Sequence, residues 1–393
     1  MNWPIVELGD IFSIARGGSP RPIDNFITED PDGVNWVMIS DASNSAKFIT
    51  VTKKKIKPSG VSRSRMVAPG DFLLTNSMSF GRPYIMQTSG CIHDGWLVLS
   101  PKKRNVNHDY FYHLLGSDLV YAEFEKRAAG ATVKNLNIDL VSGIKVPLPP
   151  LDEQKRIAAI LDQADNLRRL RQRAIDRLNE LRQAIFYEMF GITELAQSDW
   201  PVKSLQAVVR EDTLITYGIV QAGPEFERGV PYIRTGDIVD GRIETAGLKH
   251  TDPEIARRFA RSRVEAGEIV MSIRATVGTA ALVPPELEGA NLTQGTARIS
   301  PGPEVDRHYL IAFLRSAPAQ NWIAQQVKGA TFREITLARL RELPVPIPPI
   351  DLQRLFARTS LAAEEQASRA EKHALISQSL FSSLQHRAFT NQL

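Results

Sequence analysis

The sequence contains a single cysteine and no long apolar run. Cys91 is alone among 393 residues, so no internal disulfide and no multi-cysteine zinc site can form, which is typical of a reducing compartment. No stretch of about 18 apolar residues occurs, which argues against a transmembrane helix. The opening Met1–Pro4 lacks the basic start and apolar run of a signal peptide. We therefore expect a cytoplasmic protein without a membrane partner.

The motifs of several enzyme classes are also missing. Gly-Lys never occurs, which excludes a GxxxxGK[ST] phosphate loop. Each Pro-Pro dipeptide follows Leu, Val or Ile rather than the Asn or Asp of an amino-methyltransferase loop, and no Gly-rich turn suits S-adenosylmethionine. The one Asp/Glu-x-Lys triplet, Glu153–Lys155, loses both chemical groups in its repeat counterpart Leu352–Arg354, and the seven histidines lack metal-ligand spacing. We expect no catalytic residue and no metal site, although distant residues could still assemble one in space.

The chain consists of two copies of one pattern, offset by roughly 196 to 200 residues. The landmarks keep their order in both copies. They include Trp3-Pro4 and Trp200-Pro201, Gly70-Asp71 and Gly267-Glu268, Gly130-Ala131-Thr132 and Gly329-Ala330-Thr331, and the junctions Val146–Gln154 and Val345–Gln353. Each copy reads as one globular unit followed by one long helix.

Short β-branched and aromatic runs, separated by Gly, Pro, Asn and Asp, predict mixed α/β (α+β) globular domains. Amphipathic helices are expected at Tyr110–Phe124 and Tyr309–Val327. The predicted organisation is a first domain at 1–145, a proline junction and helix at 146–191, a second domain at 192–344, and a second junction and helix at 345–393.

The Pro pairs force extended backbone, after which Asp152 or Asp351 can cap a helix. Residues at alternating 3 and 4 spacing then predict a coiled-coil seam, which is weaker in the second copy. Such a seam spans about 45 Å, longer than a small domain is wide, so the two helices are expected to pair antiparallel with pseudo-two-fold symmetry. The alternative is that each helix packs on its own domain. The residues assigned to helix pairing and partner docking are Ile157, Ile160, Ala164, Leu167, Leu178, Leu181, Ile185, Phe356, Ala363, Leu380 and Leu384.

Two segments at equivalent places in the copies are rich in cations and free of acids. Clusters of this kind suit contacts with DNA phosphates. A single basic run is more often a solvated face, but the recurrence makes a nucleic-acid site an equally good interpretation. The first segment holds Lys53, Lys54, Lys55, Lys57, Arg63 and Arg65, and the second holds Arg257, Arg258, Arg261 and Arg263.

Further loops could present side chains to base edges. They are Thr75–Arg82, its counterpart Ser272–Gly278, and Arg16–Arg21. Arginine can read guanine, and asparagine or glutamine can read adenine, through paired hydrogen bonds. Ordinary turn residues are the alternative at each position. The remaining candidate DNA-contacting residues are Arg16, Ser19, Asn76, Arg82, Arg234, Arg274 and Gln294.

With these features, the whole chain resembles the specificity subunits of type I restriction-modification enzymes. The resemblance depends on the duplicated layout, on Gly-Ala-Thr followed by the junction Val146–Ile157, and on Arg16–Pro20. Tyr217–Gln221 and Ile233–Ile238 are similar to the opening of another target-recognition domain of this family. The second junction departs from the family pattern, since Leu352 stands where glutamate is usual.

The resemblance implies two target-recognition domains, each reading one half of a split sequence in double-stranded DNA. The paired helices would be a spacer and a docking surface for two methyltransferase subunits, through which restriction (translocase-nuclease) subunits would join. The chain itself would be non-catalytic and free of cofactors. Adenine-N6 methylation from S-adenosylmethionine and cleavage driven by ATP and Mg would reside in the partners. A repeat-built protein-interaction scaffold and the recognition part of another restriction enzyme are the alternatives.

Overall fold

The computed structural model describes residues 3–43, 47–76, 81–128, 135–192, 194–195, 199–329 and 333–393. The chain divides into two compact units. Unit 1 contains residues 1–172 and 372–393, and unit 2 contains residues 173–371. Each unit thus combines the globular part of one repeat with segments of both long helices. The Gly-Ala-Thr landmarks lie wholly or partly outside the described residues.

Unit 1 is built from short strands and short helices before the first long helix begins. The strands are β1 (Ile5–Glu7), β2 (Phe12–Arg16), β3 (Ile27–Thr28), β4 (Val34–Val37), β5 (Phe48–Ile49), β6 (Lys54–Ile56), β7 (Arg65–Val67), β8 (Phe72–Thr75), β9 (Pro83–Met86), β10 (Gly90–Ile92), β11 (Trp96–Pro101) and β12 (Lys145–Pro147). The helices are α1 (Leu8–Ile11), α2 (Ile39–Ser43), α3 (His108–Leu115), α4 (Asp118–Ala128), α5 (Ile138–Ser142) and the long α6 (Leu151–Phe190).

Unit 1 contains two sheets of five strands, in the orders β3-β6-β4-β10-β7 and β2-β11-β8-β9-β5, and an antiparallel pair of β1 and β12. Strand β10 pairs parallel with β4 and antiparallel with β7. Strands β8 and β9 are buried at every position, and β11 at its first four. Their apolar runs are therefore core strands rather than half-exposed ones.

Unit 2 repeats this construction with shorter sheets. Its strands are β13 (Val202–Ser204), β14 (Thr216–Tyr217), β15 (Val230–Ile233), β16 (Ile238–Val239), β17 (Arg242–Ile243), β18 (Lys249–Thr251), β19 (Ile269–Ser272), β20 (Ala280–Leu282), β21 (Asn291–Leu292), β22 (Thr296–Ile299) and β23 (Pro344–Pro346). Its helices are α7 (Pro253–Arg258), α8 (Arg307–Arg315), α9 (Ala317–Gln326), α10 (Leu337–Arg341) and the long α11 (Ile350–Phe389), whose final part belongs to unit 1.

The main sheets of unit 2 have the orders β14-β22-β19-β20 and β18-β15-β21. Strand β21 pairs parallel with β15, as β10 does with β4. Each amphipathic helix predicted near the end of a globular part is in fact two helices. Ser117 and Ser316 lie at the breaks, where each hydroxyl donates to a carbonyl three residues earlier at 2.6 Å. This local bonding competes with continuation of the helix.

In each proline junction, a buried glutamine and a buried tyrosine make hydrogen bonds to backbone groups. Gln154 Nε2 donates to the carbonyls of Pro149 and Asn105, and its Oε1 accepts from the Asn107 N–H. The Tyr110 hydroxyl donates to the Pro147 carbonyl at 3.0 Å. Proline has no N–H to donate within the junction, so these side chains supply hydrogen-bond partners that the backbone lacks.

Unit 2 contains the same arrangement. Gln353 Nε2 donates to the Pro348 and Glu304 carbonyls, and Oε1 accepts from the Asp306 N–H. The Tyr309 hydroxyl donates to the Pro346 carbonyl at 2.7 Å. The junctions, which match closely in sequence, thus share one hydrogen-bond arrangement in the two units.

Within each unit, α6 and α11 run antiparallel, as predicted. In unit 1, Arg168 donates to Gln378 Oε1 at 2.8 Å and Arg171 to the His373 carbonyl at 3.4 Å. In unit 2, Arg182 forms an ion pair with Glu364 at 3.2 Å. None of the described helices combines the length and the hydrophobicity of a membrane-spanning segment.

The predicted seam is wrong by one residue along much of both helices. Leu167, Leu181 and Leu380 are 57, 47 and 64% exposed. The buried stripe instead contains Leu161, Asp165, Ile175 and Phe186 on α6 and Ser360, Ala367, Phe381, Gln385 and Ala388 on α11. Of the other predicted members, Ile157, Phe356 and Ala363 are buried, and Ile160, Ala164, Leu178, Ile185 and Leu384 are half-buried.

Two buried polar residues explain the misassigned seam. Asp165 is 7% exposed because it accepts hydrogen bonds from Arg168 and Arg169 at 2.7 and 2.6 Å. Gln385 is 9% exposed and donates to the His113 carbonyl at 3.4 Å. A stripe chosen for apolar residues alone misses such positions. Ile157 also packs in the core of unit 1, so helix pairing and packing on the globular domain occur together.

Candidate nucleic-acid interface

The turn after strand β10 gathers candidate residues of unit 1. The Asp94 carboxylate accepts hydrogen bonds from Ser19 Oγ at 2.7 Å and from the Arg21 guanidinium at 3.2 Å. Its main-chain carbonyl accepts from Arg16 Nε at 3.0 Å and from Asn76 Nδ2 at 2.8 Å. Asp94 therefore joins two predicted reading loops that are far apart in sequence.

Glycine permits this convergence. A Cβ on Gly17 would lie 2.0 Å from the His93 carbonyl oxygen, so any larger residue would push the loop away from the turn. The hydrogen bond from Ser19, helped by the charge of Arg21, holds the pKa of Asp94 below its usual range. Asp94 is consequently ionised at neutral pH and can orient an arginine at the surface.

Arg63 and Arg65 flank the same turn. Strand β7, which begins at Arg65, pairs with β10, and Ser64 Oγ donates to the Ile92 carbonyl at 3.0 Å. Both arginines are exposed, and neither has an ion pair among the described residues. The Arg63 guanidinium lies over the Phe26 ring at 5.7 Å. These two side chains are therefore available to an anionic partner.

The other cations of unit 1 lie elsewhere. Lys54 and Lys55 are on β6, on the far side of β4 from β10, with Lys53 just before them. Lys55 Nζ donates to the Pro31 carbonyl at 2.9 Å. Arg82 is exposed beside the Tyr84 ring at 5.4 Å. Residues 77–80 of its loop lie outside the described residues.

In unit 2 the corresponding turn, after β21, contains Gln294, which is half-buried. Arg274 follows β19 and forms an ion pair with Glu334 at 3.2 Å. Arg234 follows β15 and makes two side-chain hydrogen bonds to Asp237, at 3.0 and 2.6 Å. Both arginines therefore already have carboxylate partners within the protein.

The basic segment of unit 2 runs beside β21, since the Val264 N–H donates to the Ala290 carbonyl at 2.9 Å. Arg257 pairs with Glu254 on its own helix at 2.5 Å. Arg261 and Arg263 are exposed and, among the described residues, have no ion pair. They flank their turn as Arg63 and Arg65 flank theirs.

A buried carboxylate braces the sheet of unit 2 near this segment. Glu268 is 4% exposed and accepts from Arg298 at 2.7 Å and from Arg210 at 2.8 Å. Ser300 Oγ donates to it at 2.5 Å. These bonds compensate the cost of burying the charge, and they give Glu268 a structural role.

The candidate readers thus differ in their availability. The prediction that Asn76 reads a base directly is wrong in this conformation. Asn76 is 3% exposed, and its side-chain amide donates to a backbone carbonyl. Asp94 and Arg21 were missed as individual residues. The repeat could have revealed Asp94, because it lies 200 positions before the selected Gln294. No group of three His, Cys, Asp or Glu side chains among the described residues could hold a metal ion.

Fold and surface together define a protein of two repeated α/β units, each with exposed cations around an equivalent turn. The family model for the type I restriction modification DNA specificity domain matches residues 1–180 and 199–359, once in each repeat. The chain belongs to this family, which confirms the resemblance seen in the sequence.

Individual relatives and solved structures agree. The EcoBI specificity subunit of Escherichia coli is 27% identical, with 91% of this chain and 78% of that protein covered. The putative MjaX specificity subunit of Methanocaldococcus jannaschii is 23% identical, with 95% and 90% covered.

A chain from a structural study of type I R-M assembly and conformational transition is similar, with a TM-score of 0.62 at 18% identity and coverage of 100% of this chain and 98% of that one. The S subunit of a type I system from M. genitalium gives 0.54 at 16% identity, with 99% and 96% covered. At these identities the likeness shows the fold, and it confirms the mixed α/β class with paired long helices.

Proposed function

We propose that the chain is the DNA-specificity subunit of a type I restriction-modification complex, in which each globular unit reads one half of a bipartite target in double-stranded DNA. The observation that carries the proposal is the family match, which occurs separately in both repeats. The exposed arginine pairs beside equivalent turns supply the phosphate contacts that such a reader needs.

The chain serves as the reader and its partners perform the chemistry. Two methyltransferase subunits would dock on α6 and α11, and restriction subunits would join through them. S-adenosylmethionine, ATP and Mg would be bound by those partners. Exposed apolar side chains on the two helices offer hydrophobic surface for such docking. They are Leu167, Leu170, Leu375, Ile376 and Leu380 in unit 1 and Leu181, Leu355 and Leu361 in unit 2.

A selection from a randomised duplex library tests the proposal. The full chain, with and without the methyltransferase of its own genome, is incubated with the library and the retained DNA is sequenced. We expect enrichment of two short sequences at a fixed separation, and no methylation or cleavage by the chain alone. Enrichment of no sequence, together with a partner that modifies no DNA, would favour the interaction scaffold instead.

A further inference from the structure

The turns of the two units can be matched through their backbone hydrogen bonds. In unit 1 the Gly18 N–H donates to the Ile92 carbonyl at 3.1 Å, and in unit 2 the Ile219 N–H donates to the Leu292 carbonyl at 2.6 Å. The loops that contain Gly18 and Ile219 are therefore equivalent, since each bonds to the last residue of its strand, β10 or β21.

The second loop gives an independent match. The Asn76 N–H donates to the Gly95 carbonyl at 3.0 Å, and the Ile273 N–H donates to the Gly295 carbonyl at 2.8 Å. Asp94 and Gln294 each stand immediately before that glycine. They are the same structural position with different side chains.

The two side chains differ in what they hold. The Asp94 carboxylate binds Ser19 and Arg21, and the Arg21 side chain is 78% exposed. The guanidinium is thus fixed at one nitrogen while the rest of its donor fork faces solvent. Gln294 is half-buried, and its side-chain amide, unlike its backbone N–H, makes no hydrogen bond to another described residue. One turn presents an oriented arginine, and the other presents a free amide.

We propose that this turn is a base-reading position in each unit, with Arg21 reading guanine under the positioning of Asp94 and Gln294 reading adenine. This inference rests on the proposed function and names residues that would determine its DNA sequence specificity. Arginine donates two bonds to guanine O6 and N7, and a glutamine amide pairs with adenine N6 and N7. The flanking pairs Arg63 and Arg65, or Arg261 and Arg263, would contact phosphates beside the base.

The library selection with variants of the full chain tests this assignment. Gln294→Glu removes the amide donor and keeps the shape, so the adenine preference at one position of one half-sequence should fall about tenfold. The other half-sequence should not change. Gln325→Glu, at an exposed site on α9, is the control for the added charge and should match the parent at every base.

In unit 1, Asp94→Asn and Arg21→Gln should relax the same guanine position, again by about tenfold. Asp32→Asn, at another exposed site, is the control. A residue that merely stabilised the loop would lower affinity for all sequences alike, so relaxation at one shared base distinguishes positioning from folding.

The outcomes distinguish failure of the proposed function from failure of the residue assignment. If the parent chain enriches no sequence, the proposed function fails. If the parent enriches a bipartite sequence and Gln294→Glu leaves it unaltered, or Asp94→Asn and Arg21→Gln alter different bases, the assignment of this turn is overturned. A uniform loss of binding by Asp94→Asn, with the guanine preference kept by Arg21→Gln, would also overturn it.

Discussion

Replacing Gln353 by methionine should destabilise the start of α11 by about 3 kcal/mol. The glutamine is fully buried, and it satisfies two carbonyls and one N–H at 2.7 to 3.2 Å. Methionine keeps the length of the side chain but leaves all three backbone groups without a partner. A buried group left unpaired costs about 1 to 3 kcal/mol, and entry of water would keep the sum near the lower bound.

Hydrogen–deuterium exchange of the full chain measures this loss locally. Peptides covering residues 304–308 and 348–356 should lose protection by roughly two orders of magnitude, which corresponds to about 3 kcal/mol. Gln366→Met, at an exposed position of the same helix, is the control and should leave the exchange unchanged. If Gln353→Met exchanges like the control, the glutamine does not hold the junction. Gln154→Met should have the same effect on α6.

Three further predictions address binding and stability. Alanine substitution of Arg63, Arg65, Arg261 or Arg263 should reduce the slope of log affinity against log salt by about 1. Fluorescence anisotropy measures this slope, and an unchanged slope in all four variants would contradict phosphate contact. Glu268→Ala should cost about 1 to 3 kcal/mol in urea denaturation, because it removes the carboxylate nearest to half-buried Arg298 and leaves that arginine only its 3.3 Å ion pair with Glu265, whereas Glu286→Ala on the surface should cost little. Phe389→Ala should cost about 3 to 5 kcal/mol, since its ring packs in the core of unit 1 at 5.6 Å from Tyr110, and a loss below about 1 kcal/mol would contradict that packing.

The repeat and the helix starts could be predicted from sequence because they depend on local chemistry. Two prolines, an aspartate and a glutamine two residues after it occur in both copies. The prolines constrain the backbone and the glutamine bonds to it, but the predicted capping role of Asp152 and Asp351 is wrong: each lies one residue inside its helix, is more than 90% exposed, and pairs with a cation three residues later.

The seam could not be predicted, because its buried stripe depends on partners from distant parts of the chain. Asp165 is buried because two arginines donate hydrogen bonds to it, whereas Leu167 and Leu380 are exposed. Apolar periodicity identifies a helix but cannot show which polar residue finds a partner in three dimensions. The boundary between the units, which cuts both helices, depends on the same distant contacts.

The candidate interface was predicted at the level of segments rather than individual side chains. Arg16 and Ser19 come together because Asp94 accepts from both. Asn76 also donates to Asp94, and it is buried there. Arg234 and Arg274 have carboxylate partners that no motif in the sequence indicated. Charge patterning locates a basic surface, and only the structure distinguishes available cations from neutralised ones.

We propose that this chain alone chooses the DNA sequence on which a partner acts. The most direct measurement is long-read sequencing of genomic DNA from cells that express the methyltransferase of the same genome, with and without the chain. We expect adenine methylation at one two-part sequence only when the chain is present. Methylation at the same sites without the chain, or none with both proteins present and assembled, would contradict it.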